Sequence, residues 1–430
     1  MRMNLRFLVA VSVSAVAVGL VPDLAFGQDD AILAAPCQNI TLSPLNRSFT
    51  SEGGSAFINV NHENGCSFTA TSTDSWIKIT SVVVGDDIGT VYYTVAPNWG
   101  GTAHAGAITV GPRSFPVYQI NELVRKAPSV IWTRSAHSGS VNSLAFSPDG
   151  QFVASGSDDH TVKIWRVADG LLLQTLTGFF DRVTSVIFSH NGLMLAAGSF
   201  DRSVKGWNVS NWSLIRTVGS SDFMLSTAFS PDDAYVAAGG GYSGNWVHLI
   251  RTLDWQDIGL LGPGQQQNPA IAYSPNGEYL AWAISGPGVR LQRVATGSFC
   301  MASMPNYGGY DVNSIAFSPN GQQLASGTDS QAIDVWQVSN CAEVLSLNGP
   351  AGFVKSVAYS PDGRTIAAGG EDYSAGRGTL LLWRASDGAL LRVYAGQTST
   401  GVPSVQYSPN GAFLAYGRKD GYLVLARNPF

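Results

Sequence analysis

The chain has 430 residues, 45% of them apolar and 13% charged, with a formal net charge of −5. That balance supplies a large core and excludes an intrinsically disordered chain. No cluster of Lys and Arg is present, which excludes the electrostatic footprint of a nucleic-acid binder.

Residues 1–27 have the make-up of a secretory signal: Arg2 and Arg6, an apolar run from Phe7 to Val21, and small residues around Ala25-Phe26-Gly27. The run is shorter than the roughly 20 residues of a spanning helix and ends at Pro22 and Asp23. No Cys stands near the cleavage site to carry a lipid, and no later segment predicts a membrane span. The expectation is an exported protein, periplasmic or extracellular. Cleavage would remove two Arg and one Asp, leaving 23 basic against 29 acidic side chains, a formal charge of −6. A short arm, 28–36, follows.

Residues 37–121 alternate short apolar strands with Gly, Ser and Asn: "SAFINVNH", "CSFTATS", "WIKITSV", "GTVYYTVAPN", "AGAITVG" and "SFPVYQI". The pattern predicts a small β-sandwich. Cys37 and Cys66 fall in this unit, and in an oxidising compartment they are the expected bridge. Cys300 and Cys341 stand at different positions of neighbouring repeats, and their pairing is left open. Through Cys66, Trp76, Ile77, Gly89, Asn98, Gly106, Ile108 and Gln119 the segment resembles a BACON domain, an immunoglobulin-like module of exported bacterial proteins. His104 stands where that family usually has Arg. The resemblance implies either a spacer with Trp76 in its core or an adhesion module for carbohydrate or mucin. Residues 122–128 form a linker.

From residue 129 onward one phrase recurs: "FSPDG" at Phe146, "FSHNG" at Phe188, "FSPDD" at Phe229, "YSPNG" at Tyr273, "FSPNG" at Phe317, "YSPDG" at Tyr359 and "YSPNG" at Tyr407. The spacings are 42, 41, 44, 44, 42 and 48 residues, a period that suits four-stranded units. In the first unit, Ser147-Pro148-Asp149-Gly150 suits a type I turn between "SVNSLAF" and "QFVASGS". A turn at Asp158-Asp159-His160 leads to "TVKIWRV", and another at Asp169-Gly170 leads to "LLLQTL".

These seven phrases resemble the WD-repeat β-propeller family over about 129–430. The first repeat carries the family's hydrogen-bonded set, His137, Ser155, Asp159 and Trp165, expected to be structural rather than catalytic. At the Trp165 position the later repeats carry Trp207, Ile250, Gln292, Trp336, Trp383 and Ala426, and none keeps the whole set. The last repeat stops after its third strand, while "SVIWTRSAHSG" precedes the first, so residues 129–135 are expected to complete the last blade. The fold expected is all-β: a seven-bladed closed propeller behind an immunoglobulin-like sandwich.

No chemistry-bearing motif emerges. The chain has no Gly-Lys dipeptide for a P-loop and no Gly-X-Ser-X-Gly elbow. Its six His are scattered without metal-ligand spacing, and turn carboxylates such as Asp158, Asp201 and Asp329 are expected to cap turns. No catalytic group, metal or cofactor is expected. What remains is the loop face, where Phe179, Phe180, Asp201, Tyr242, Trp246, Tyr307, Tyr310, Phe353, Glu371, Asp372, Tyr373 and Arg377 are expected to gather. Such an aromatic and polar mixture suits a binding surface. The expectation is a non-enzymatic scaffold with an unidentified protein partner. Glycan recognition and an enzyme using the channel are the alternatives.

Overall fold

The computed structural model describes residues 36–37, 39–49, 53–96, 104–119, 128–241, 247–261, 270–284, 288–303, 311–329, 332–348, 352–372, 377–394 and 401–430. The leader at 1–27, the arm at 28–35 and most of the linker lie outside them. The described residues are strands and turns, with no α-helix among them. No helix there is long and apolar enough to cross a membrane.

The N-terminal unit has eight strands: β1 (Ile40–Ser43), β2 (Arg47–Phe49), β3 (Gly54–His62), β4 (Ala70–Thr71), β5 (Ile77–Val83), β6 (Ile88–Val95), β7 (His104–Val110) and β8 (Arg113–Gln119). They form two sheets, β1-β3-β6-β5 and β2-β8-β7-β4. Alternation sends one face of each inward, so Ile58, Val91 and Tyr93 of one sheet share a core with Ile108, Phe115 and Val117 of the other. Two of the strands, β1 and β2, were not among those expected, because three or four residues beside a Pro carry too little periodicity. The expected "CSFTATS" strand shrinks to β4. Cys37 and Cys66 are bridged, S–S 2.05 Å.

The remainder forms seven four-stranded antiparallel sheets among the described residues, six of them in chain order. In the first repeat the strands are Val141–Phe146, Phe152–Ser157, Val162–Arg166 and Leu172–Leu176, joined at the turns the sequence predicts. The seventh sheet takes its fourth strand from β9 (Val130–Ser135), which pairs with Tyr422–Arg427.

Successive sheets pack through their first strands, and a serine three residues before six of the seven turn phrases joins them. Ser143 Oγ accepts Val186 N–H at 3.0 Å, Ser185 accepts Thr227 N–H at 3.0 Å, and Ser226 accepts Ile271 N–H at 3.2 Å. Ser314 and Ser356 serve Val357 and Val405 in the same way, at 3.0 and 3.1 Å. Ser404 Oγ donates to Val141 O at 2.8 Å, linking the seventh sheet to the first. The fourth repeat has Ala270 at this place.

The gap between neighbouring sheets is filled largely by indoles. Trp165, Trp207, Trp336 and Trp383, all nearly inaccessible, project from the third strand toward the preceding sheet. A second contribution comes from a left-handed position in the turn after that strand. There Trp212 meets Phe152 of the first sheet, Trp255 packs over Gly206 of the second, and Cys341 reaches Cys300 of the fourth. The Cys300–Cys341 bridge, S–S 2.04 Å, answers the pairing the sequence left open. The two positions differ within their repeats because the turn of one sheet overlies the outer strand of the one before.

The sandwich rests on this assembly. β2 lies against Glu343–Asn348, the outer strand of the fifth sheet, and Tyr118 OH donates to Asp387 O at 3.0 Å.

Candidate interaction face

The first repeat folds its polar set inward. His137 Nδ1 is 2.8 Å from Asp159 Oδ2, and His137 Nε2 is 2.7 Å from Ser155 Oγ. Trp165 Nε1–H donates to the same Oγ at 2.9 Å. Burial pushes the His137 pKa below its ordinary value against the pull of Asp159. Burial pushes the Asp159 carboxyl up, but the Thr161 hydroxyl and His137 outweigh it, and the net shift is downward. The trio has the residue types of a nucleophilic triad, yet Ser155 is wholly inaccessible and its oxygen already accepts the indole N–H. Substrate has no path to it, and the bonds instead tie the entry loop to the second and third strands.

At the loop ends of the second and third sheets the chain builds a different arrangement. Phe200 and Phe223 stack with ring centroids 4.1 Å apart and planes at 11°. Arg182 lies over Phe200 at 3.9 Å and Arg202 over Phe223 at 5.0 Å, making a four-layer ladder. Each cation–π layer at such a site is worth about 0.5–1 kcal/mol and holds an otherwise mobile guanidinium flat. Neither guanidinium donates to another side chain or pairs with a carboxylate among the described residues. Beside the ladder Phe180 is 89% exposed, its N–H held by Asp201 Oδ2 at 3.0 Å. Asp201 also accepts from Ser203 and so fixes the turn.

Of the residues expected on this face, Phe180 and Asp201 therefore meet. Phe353 and Glu371 are register partners in the sixth sheet, and Glu371 pairs with Lys419 at 3.1 Å. Lys355 lies 5.3 Å from the Phe353 ring and pairs with Asp329 at 2.8 Å. Phe179 is a correction. It is buried, sits 5.9 Å from the Trp207 ring under Lys205, and fills the gap between the first two sheets. Tyr242, Trp246, Tyr307, Tyr310 and Tyr373 lie outside the described residues, and of Asp372 and Arg377 only the backbone is described, as register partners.

The ladder itself went unread in the sequence. Its signal is Phe200, standing where the first repeat has Asp158, in "SFDR" against "SDDH". Below the loops the first strands enclose a polar cavity of about 250 Å³ lined by hydroxyls of Ser143, Thr184, Ser185 and Ser226. Near its mouth Lys355, Glu371 and Lys419 border a second hollow of about 310 Å³. In the sandwich, Cys37, His62 and Cys66 bring their ligand-type atoms within 4.8 Å of one another. The two sulfurs are joined to each other, so neither is a thiolate available to a cation.

Repeated four-stranded sheets, indole-filled gaps and the buried His–Ser–Asp–Trp set define a WD-repeat β-propeller, and its exposed chemistry lies at loop ends. The family model described as "IFT122 first beta-propeller" matches residues 140–425, more than half of the chain, and the protein belongs to that family. The sandwich lies outside the matched range. Shorter stretches are similar to curated proteins. They are 63% identical over 38 residues to "Vegetative incompatibility protein HET-E-1" of Podospora anserina, covering 9% of this chain and 3% of that protein. They are 44% identical over 46 residues to "Protein hir1" of Schizosaccharomyces pombe, covering 11% and 5%. They are 38% identical over 52 residues to "Periodic tryptophan protein 2 homolog" of Mus musculus, covering 12% and 6%. Each match is about one repeat long and spans a small part of the relative.

Proposed function

We propose that the protein is an exported, non-enzymatic interaction scaffold whose seven sheets make one closed ring, with the loop face receiving a protein partner. The observation that carries this reading is the Arg182–Phe200–Phe223–Arg202 ladder beside the exposed Phe180. Rigid aromatics and flat guanidiniums with free donors are the side chains that dominate protein interfaces. Membership of a WD-repeat family supports a scaffold role, and the apolar run at Phe7–Val21 supports export. Closure through β9 is supported by its pairing with Tyr422–Arg427 and by the Ser404–Val141 bond. The sandwich acts as a BACON-like, immunoglobulin-type spacer or adhesion module.

The test compares quantitative cross-linking of the native chain in its own cells with that of Phe180→Ala/Arg182→Ala and Phe180→Ala/Arg202→Ala variants. A partner held by the native chain and lost from both variants is the expected result. Partners retained unchanged by both would overturn the assignment of the face. Saturable binding of the chain to a mucin-glycan panel, with no partner cross-linked, would replace the protein partner by a glycan.

A further inference from the structure

The gap between the third and fourth sheets is filled unlike the others. At the third-strand position where four repeats place an indole, the fourth repeat has Gln292. At the left-handed turn position that carries Trp212, Trp255 and Cys341 elsewhere, it has Gly297. The other two glycines at that position are covered from outside: a Cβ on Gly170 would meet Trp132, and one on Gly388 would meet Leu347 and Asn46. A Cβ on Gly297 would meet nothing within 4 Å. The fourth repeat does carry an indole, Trp282, but in the second strand at the Ser155 position, fully buried with Arg290 above it. It therefore fills the gap at a different height and leaves the rest open.

What is left is a cavity of about 520 Å³ between the two sheets, within the range of small-molecule sites. Its walls are Leu249, Leu261, Leu280 and Val294, with the rings of Tyr235 and Tyr273. Asp232, Ser230, Asn276 and Gln292 supply the polar groups, and Gln292 Oε1 accepts from Arg290 at 3.2 Å. Asp232 Oδ1 is occupied by Ser230 Oγ and Ala234 N–H, at 2.6 and 3.1 Å, while Oδ2 has no partner among the described residues. The Ser230 hydroxyl, the largest influence, holds the Asp232 carboxyl below the usual range, so it is ionised at neutral pH.

We propose that this cavity binds a planar aromatic molecule of indole size that carries an ammonium or N–H donor. The ring takes the place that a tryptophan occupies between other sheets, and the donor reaches Asp232 Oδ2. A carboxylate flanked by two phenol rings favours a cation and disfavours an anion on the same ring. The site is independent of the loop face, since its polar end lies at the turns between first and second strands.

The probe is tryptamine, titrated into the full chain by calorimetry, with indole-3-acetate as the matched anion. Expected is 1:1 saturable binding tighter than about 1 mM, and binding of the anion weaker by about tenfold or more. Gln292→Trp and Gly297→Trp each place an indole in the gap and should weaken tryptamine binding by at least about tenfold. Trp at the second position has precedents in Trp212 and Trp255. Asp232→Asn keeps the turn, since Asn320 does the same work for Ser318 at 2.7 Å, and should erase the preference for the cation. No saturation by tryptamine would overturn the proposal. Equal binding of both probes, or undiminished binding by any folded filling variant, would do the same.

Discussion

The gap between the second and third sheets allows the packing argument to be tested as a double-mutant cycle. The third repeat has Ile250 where an indole is usual, and Trp255 from the next turn refills the space over Gly206. At the Gly206 position the other repeats have Ile164, Leu249, Leu291, Val335, Leu382 and Leu425. Trp255 is 2% exposed and holds a left-handed backbone, φ 52°, which is costly for any residue with a Cβ. Trp255→Gly loses packing worth about 3–5 kcal/mol and recovers about 1 kcal/mol of backbone strain, for a net loss of about 2–4 kcal/mol. In Gly206→Leu the new Cβ would stand 2.5 Å from Trp255 Cζ3, an overpacking worth about 1–3 kcal/mol.

Together the two changes should partly cancel. The leucine side chain then occupies part of the space the indole vacates, and the pair should cost about 1–2 kcal/mol less than Trp255→Gly alone. Urea unfolding of the four proteins, followed by far-UV circular dichroism, gives the midpoints. A coupling of about 2 kcal/mol or more is expected. Additivity within about 0.5 kcal/mol would refute the claim that Trp255 and Gly206 are complementary, and with it the account of why the next gap stays open.

Three further outcomes follow from the same contacts. The melting temperature should fall as pH drops below about 6.5, because His137 takes up its proton more readily in the unfolded chain. The slope should diminish in His137→Gln, whereas a melting temperature that rises or stays flat on acidification would contradict the buried neutral imidazole. Ser143→Ala leaves the buried Val186 N–H without its acceptor and should cost about 1–3 kcal/mol in urea unfolding, while an equivalent Ala270→Ser change should stabilise or be neutral. Replacing both Cys300 and Cys341 by Ser removes a cross-link over 41 residues and should cost up to about 4 kcal/mol, read by calorimetry against the same pair in reductant.

What the sequence disclosed was whatever recurs. Seven turn phrases with Ser and Asp or Asn at fixed offsets, six of them with Pro and six with Gly, set the repeat boundaries, because those residues favour one local turn. The displaced strand at residues 130–135 was legible for the same reason: an incomplete last repeat demands its missing piece. The binding chemistry was legible only in part. Phe180 was visible as an aromatic in an inter-blade loop, but its neighbour Phe179 was indistinguishable from it by type. Only packing reveals that one of the adjacent rings turns inward to Trp207 and the other outward. The ladder escaped because its four members come from three separate segments, and stacking leaves no periodic trace.

The degenerate repeats carry the most information about this particular protein. A repeat that keeps its indole spends that position on packing against its neighbour, and nothing remains there for a ligand. Where the indole gives way to Ile250 and to Gln292, two solutions are present side by side. In the third repeat Trp255 moves in from the turn, at the cost of a left-handed backbone, and the gap is tight. In the fourth, Gln292 and Gly297 leave polar and empty space together, bordered by an ionised Asp232. Asp232 and Tyr273 stand at turn-phrase positions that are Asp or Asn, and Phe or Tyr, in all seven repeats, so what is particular to this gap is that the void left by Gln292 and Gly297 opens beside them. That conjunction, rather than the loss of tryptophan alone, separates a binding cavity from a packing defect. It also makes Asp232→Asn the more telling variant, since it leaves the volume untouched and changes only the chemistry.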